Sequence, residues 1–137
     1  MSERIHAAYH ELIRSTGLQR SILSENLSKV IHIGHVEDLT VIHDGLAIVE
    51  GSADNILTDT GGEVILFGSG KNATARGHSR IIILGGLELA TVDSTGQITA
   101  TEGLGETIYL DEQQRGVVKP RYEVSENTME LLKKLLI

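Results

Sequence analysis

The sequence contains no cysteine and no tryptophan, and it has only one proline and one phenylalanine. Without cysteine the chain can form neither a disulfide nor a cysteine-ligated metal site. Because aromatic residues make up only 3%, the core must be built from Ile, Leu, Val and Ala, as in regularly stacked β structure. No apolar run approaches the roughly 18 residues of a membrane span. We therefore expect a single cytoplasmic domain, residues 1–137.

The acidic balance of the chain bears on its partners. A formal net charge of -7 disfavours direct binding to nucleic acids or anionic membranes, because their phosphates would be repelled. No residue pattern indicates a cofactor, so none is expected.

Glycine, in contrast, is abundant, and part of it recurs with a fixed spacing of 17 residues. The glycines in this register are Gly17, Gly34, Gly51, Gly68 and Gly85. A sixth unit is expected to close at Gly103 after one inserted residue, and a seventh stretch to end at Pro120.

Apolar residues follow the same period and form aligned columns. One column contains Val30, Ala47, Val64, Ile81 and Ile98, and two positions later stand His32, Val49, Leu66, Ile83, Ala100 and Val118. A second column contains Ile22, Leu39, Ile56, Ala73, Ala90 and Ile108, and two positions later stand Ser24, Val41, Thr58, Ala75, Val92 and Leu110. A spacing of two places each pair of columns on one face of a strand.

This arrangement predicts an all-β fold, a β-solenoid whose parallel strands lie about 4.8 Å apart in successive coils. The alternative is an antiparallel meander with hairpin turns at residues 43–45 and 94–96. A meander would explain the alternation but not the constant spacing.

The two ends of the sequence show helical patterns instead. Apolar residues from Ile5 to Ile13 follow i, i+3, i+4 spacing, which predicts a capping helix over residues 1–17. A second amphipathic helix is predicted over residues 121–137, with Met129 and Leu132 on its apolar face. The solenoid coils would then occupy residues 18–120.

The stretch "EVILFGSGKNATARGHSR" has a Gly-Lys pair but lacks the pattern of a phosphate-binding loop. Its cations stand in register with acids of neighbouring coils. Three columns result: Asp54, Lys71 and Glu88; Asp59, Arg76 and Asp93; Glu63, Arg80 and Gln97. We interpret them as a ladder of opposite charges that fixes the register of the coils. Asn55 and Asn72 share a further column, where their amides could hydrogen-bond from coil to coil.

The column between the two inward positions of the first arm is apolar as well. Its members are Ile31, Ile48, Ile65, Ile82, Thr99 and Val117. By strand alternation these side chains should point outward and form an exposed strip. We expect this strip, sealed by Met129 and Leu132, to be the interface of a homo-oligomer, most simply a dimer.

Catalytic and metal-binding patterns are weak. In "IHIGHVEDLTVIHD" the histidines His32, His35 and His43 fall at different places around the coil, with His32 pointing inward. They therefore predict no metal site. The acids Asp59 and Asp93 have a cation between them, which would lower their pKa values and not suit a proton donor. We assign no catalytic residue.

The stretch "NATARGHSRIIILGGLELATVDSTGQITA" resembles the short-coil repeats of bacterial and phage β-solenoids. Over about Leu18 to Pro120 the coil number and size resemble those of bactofilin-like filament formers. The two predicted helices depart from that pattern and argue against end-to-end polymerisation. The leading hypothesis is a non-enzymatic interaction or self-assembly module with an acidic surface. The alternatives are an acidic nucleic-acid mimic that inhibits a basic protein and a carbohydrate-active enzyme with a site on the flank.

Overall fold

In the computed structural model, which describes residues 4–102, 104–110 and 115–119, ten strands form one parallel β-solenoid. The described residues contain strands and turns but no helix. The strands are β1 (Arg4–Ala7), β2 (Leu12–Ser24), β3 (Lys29–Val41), β4 (Leu46–Thr58), β5 (Glu63–Ala75), β6 (Arg80–Ile83), β7 (Leu87–Val92), β8 (Gln97–Ala100), β9 (Leu104–Tyr109) and β10 (Val117–Lys119).

Each coil consists of two strand arms and a turn that leads into the next coil. We number the coils 1 to 6, beginning at residues 12, 29, 46, 63, 80 and 97. In coils 1 to 4 both arms belong to one 13-residue strand, and in coils 5 and 6 the arms are separate strands. The predicted solenoid with coils of about 17 residues is confirmed.

The recurring glycines form the corner between the two arms. Gly34, Gly51 and Gly68 have φ values of 137°, 141° and 150°, a region that side chains rarely adopt. A Cβ on any of them would overlap the carbonyl oxygen of the corner glycine in the preceding coil. The glycine register is thus a steric requirement of close stacking.

The turns between coils use two successive residues in left-handed conformation. His43 and Asp44, for example, have φ values of 48° and 63°. Neighbouring turns are joined by backbone hydrogen bonds, such as Asp44 N–H to the Thr60 carbonyl at 3.0 Å. The turns therefore continue the coil-to-coil pairing of the strands.

The core lies between the two arms and is filled by the inward-facing columns. Val30, Leu66 and Ile81 on the first arm and Leu39 and Val92 on the second are fully or almost fully buried. Small aliphatic side chains fit this narrow space, which agrees with the scarcity of aromatic residues. No helix that could cross a membrane is found among the residues described.

The predicted capping helix over residues 1–17 is wrong. Residues 4–7 form β1, which pairs with β2, and β2 already begins at Leu12. Ile13 pairs with Val30 and continues an inward column. A helix this short is marginal alone, whereas the strands gain a full set of partners, so the solenoid starts earlier than the predicted residue 18. The predicted helix over residues 121–137 lies outside the described residues.

The predicted register of the last coils is also wrong. The 17-residue spacing continues without insertion, since Thr107 pairs with Ala90 and Tyr109 with Val92. Ile108 and Leu110 are therefore each one position out of their predicted columns. The extra residues come later: Val118 pairs with Ile98, a spacing of 118 - 98 = 20. A longer turn after β9 absorbs the additional length without disturbing the strands.

Candidate functional site

Opposite charges meet between coils 3 and 4. Arg76 Nε lies 2.8 Å from Asp59 Oδ2, and Arg80 Nη2 lies 2.7 Å from Glu63 Oε1. Lys71 Nζ is farther from Asp54 Oδ1, at 3.8 Å. The structure thus brings together the basic coil and the acidic coil that precedes it.

The acids of coil 5 behave differently from those of coil 3. Asp93 accepts hydrogen bonds from the backbone N–H groups of Thr95, Gly96 and Gly77 and from the Thr95 hydroxyl. Burial acts to raise the pKa of Asp93, but these hydrogen bonds together outweigh it and hold the pKa below its usual range. Asp93 therefore organises a turn. Glu88 lines a groove together with Lys71.

The charge ladder leads to a stability prediction at Arg76. Arg76→Asp places a third acid in the column of Asp59 and Asp93, whereas Arg76→Ala only removes the cation. Because the position is half-exposed, we expect the Asp variant to be less stable than the Ala variant by about 0.5 kcal/mol. Chemical denaturation at low salt measures the difference, and superimposable unfolding curves would count against a register role.

A second ladder runs along the flank. Asn55 Nδ2 donates to Asp38 Oδ1 at 2.9 Å, and Asn72 Nδ2 donates to Asn55 Oδ1 at 3.0 Å. The shared column of asparagines therefore carries hydrogen bonds across coils 2 to 4.

The isoleucine column is in register but is not an exposed strip over coils 2 to 4. Ile31, Ile48 and Ile65 are only 7%, 2% and 5% exposed, although none belongs to the main core cluster. Ile82 is half-buried. Val117 pairs with Gln97, so it belongs to a different column from the one predicted. Met129 and Leu132 lie outside the described residues, and the dimer through this face stays a prediction.

His32 occupies an inward position, as its column indicated. It is fully buried, its Nδ1 lies 2.7 Å from the Ser15 hydroxyl, and its Nε2 lies 3.2 Å from the His35 carbonyl oxygen. Both ring nitrogens are therefore satisfied within the core. The described residues include no group of three or more histidines and acids close enough to hold a metal.

The largest concave feature is a groove of about 920 Å³ on the second arm, beside the glycine corner. Its polar lining residues are His35, Ser52, Asp54, Ser69, Lys71 and Glu88. The column that begins with Ser52 and Ser69 continues as glycine at Gly86, and this loss of side chains opens the groove.

Three side chains in this groove form a chain of hydrogen bonds. His35 and Ser52 are register partners on β3 and β4, and His35 Nδ1 lies 2.6 Å from Ser52 Oγ. Asp54 is two residues from Ser52 and therefore on the same face of β4, with Oδ2 at 3.2 Å from His35 Nε2. The sequence analysis missed this cluster. The 17-residue spacing from His35 to Ser52 was the signal that could have found it.

Comparison with known proteins gives no match: no family model, curated protein or solved structure is similar to the chain. Neither bactofilins nor phage solenoid proteins are identified as relatives. The function must therefore be argued from the residues themselves.

Proposed function

We propose that this protein is a self-assembly module whose copies stack end to end through the terminal coils. The observation that carries the proposal is the distribution of exposed apolar side chains. Large exposed apolar residues are found before and in coil 1 and in and after coil 6: Tyr9, Leu12, Leu18, Leu27, Ile108, Leu110 and Val117. Coil 2 contributes Ile33, and coils 3 to 5, which are described throughout, contribute none.

The terminal coils also carry strand edges that pair on one side only among the described residues. β1 and the first part of β2 have partners in the following coil, and β9 and β10 have partners in the preceding coil. Strand edges with free N–H and C=O groups are templates for pairing with another chain. Exposed apolar side chains beside such edges favour burial against a second copy.

The two edges have matching registers. If the columns continued into a second copy, Glu106–Tyr109 would lie over Arg4–Ala7, and Val117–Lys119 over Leu12–Arg14. Val118 would then cover Ile13. Both are partly buried residues that pack against the core, so stacking would extend the core from one copy to the next.

This contact is heterologous, because one end of the solenoid meets the opposite end of another copy. Heterologous contacts that do not close generate filaments, whereas an isologous dimer through the isoleucine column would stop at two copies. The net charge of -7 opposes association through repulsion, so assembly should strengthen as salt screens it. The wrong capping helix also removes the objection to end-to-end contact at the first coil.

A mixing experiment tests the proposal at physiological ionic strength. Leu12 and Val117 are exposed and would meet in one column across the contact. Leu12→Lys disables one end and Val117→Lys the other, so each variant alone should lose the concentration-dependent mass of the wild type by sedimentation. A loss of about 1.4 kcal/mol weakens the contact about tenfold. Mixed together, the two variants should form a heterodimer through the one intact pair of ends.

Ile33→Lys is the matched control, since it places the same charge on an exposed apolar position of coil 2. It should assemble like the wild type. A wild type that is monomeric at all concentrations would overturn the proposal. So would variants that fail to complement each other on mixing while remaining folded.

A further inference from the structure

The hydrogen-bond chain in the groove has a defined direction. A carboxylate can only accept, so in the neutral imidazole the proton on Nε2 of His35 points to Asp54. The Nδ1 atom is then left as an acceptor, and Ser52 Oγ, at 2.6 Å, donates its proton to it. A hydroxyl bonded to a base that is itself oriented by a carboxylate is the arrangement that activates a serine nucleophile.

The groove differs from a purely structural pair that has the same spacing. Ser15 and His32 are also register partners, and their side chains are 2.7 Å apart. However, His32 is fully buried and its second nitrogen bonds a backbone carbonyl. In the groove, His35 and Asp54 keep about a third of their side chains exposed. The groove volume of about 920 Å³ lies within the usual range for small-molecule sites.

We propose that Ser52 is an activated nucleophile and that the groove hydrolyses small carboxylic esters, with His35 as general base and Asp54 as the positioning residue. Lys71 lines the same groove and supplies positive charge near the carbonyl oxygen as it becomes negative. The proposal is independent of the end-to-end contact, because the groove lies on the flank of coils 2 to 5.

In the reaction, Ser52 Oγ bonds to the ester carbonyl carbon while its proton passes to His35 Nδ1, and the carbonyl electron pair moves onto oxygen. Collapse of this adduct breaks the bond to the alcohol oxygen, and the alcohol leaves with the proton from His35. Water then attacks the acyl-serine with His35 again taking a proton. The carboxylic acid is released and Ser52 regains its hydrogen.

The test uses the full chain with an alkyl fluorophosphonate, which forms a covalent bond with activated serines, and with p-nitrophenyl acetate as an ester. Mass spectrometry should locate the adduct on Ser52. Ser52→Ala should abolish labelling and reduce ester hydrolysis to that of buffer. His35→Gln should slow both reactions by about 100-fold or more, in the range of general base catalysis.

Two serines serve as matched controls. Ser69 stands in the next coil in the column of Ser52, and Ser15 bonds the buried His32. Ser69→Ala and Ser15→Ala should label at the wild-type rate. Absence of an adduct on Ser52, or equal labelling rates in the wild type and a folded His35→Gln variant, would overturn the proposal.

The positioning role of Asp54 has its own readout. Asp54→Asn should slow labelling, and Asp54→Glu, which restores a carboxylate, should recover a substantial part of the rate. Equal rates in the two variants would show that Asp54 does not act through its charge on His35. Thermal unfolding of each variant separates these effects from a loss of structure.

Discussion

Replacement of Gly51 by alanine is expected to lower the free energy of unfolding by about 3 kcal/mol or more. Gly51 adopts a φ of 141°, where any side chain is strained. An added Cβ would also overlap the Gly34 carbonyl oxygen of the preceding coil. The strain and the overlap act together, because the backbone cannot rotate away from one without disturbing the pairing of β3 with β4.

Gly86→Ala is the matched control for this substitution. A Cβ at Gly86 would meet only Glu102 Oε2, at an ordinary contact distance of 3.7 Å. We expect its stability to stay within about 0.5 kcal/mol of the wild type, as for most surface substitutions. Chemical denaturation of both variants measures the contrast. A Gly51 variant as stable as the Gly86 variant would contradict the steric account of the corner.

The corner glycines show why the architecture could be predicted from the sequence. A solenoid repeats one local environment in every coil, so the same steric demand recurs at Gly34, Gly51 and Gly68. The inward position of His32 followed from the same logic, since it shares a column with Val49 and Leu66. Periodicity therefore carried the fold without any relative of known structure.

The first 17 residues could not be predicted in this way. The apolar residues from Ile5 to Ile13 satisfy helical spacing locally, and nothing within the segment selects between helix and strand. The choice is made by pairing with residues 21–24 and 29–35, which supply partners for the backbone. The register after β9 failed for a related reason, because the length of a turn is not constrained by the core.

The groove was missed because its chemistry lies across coils. His35 and Ser52 are far apart in the sequence and adjacent in space, and a search for motifs along the chain passes over them. The nearby "GHS" at residues 77–79 attracted attention instead. In the structure the Ser79 hydroxyl bonds Thr58 and the Arg76 backbone N–H, so that serine is structural.

Asp93→Asn is expected to reduce the free energy of unfolding by about 2 kcal/mol at neutral pH, within the range for hydrogen bonds to a charged group. The carboxylate accepts from three backbone N–H groups and one hydroxyl. In the variant, an amide NH₂ replaces one oxygen, so one backbone donor would face another donor. The turn after β7 would lose part of its support.

The pH dependence follows from the direction of the pKa shift. The folded pKa of Asp93 lies below its ordinary value of 3.8, so the folded state favours the charged form. This contribution is fully present above the unfolded pKa and is lost as the pH falls through the folded pKa. The stability difference between the wild type and Asp93→Asn should therefore be constant near neutral pH and shrink below about pH 4.

Glu88→Gln is the control, because it removes the charge of an exposed carboxylate in the same coil. Its difference from the wild type should stay within about 0.5 kcal/mol. Urea titrations from pH 7 to pH 3 measure all three proteins. An Asp93→Asn difference that stayed unchanged down to pH 3 would show that neutral acceptors suffice and that the charge of Asp93 does not hold the turn. A difference that shrinks on acidification would instead identify this carboxylate as the acid-sensitive support of coil 5.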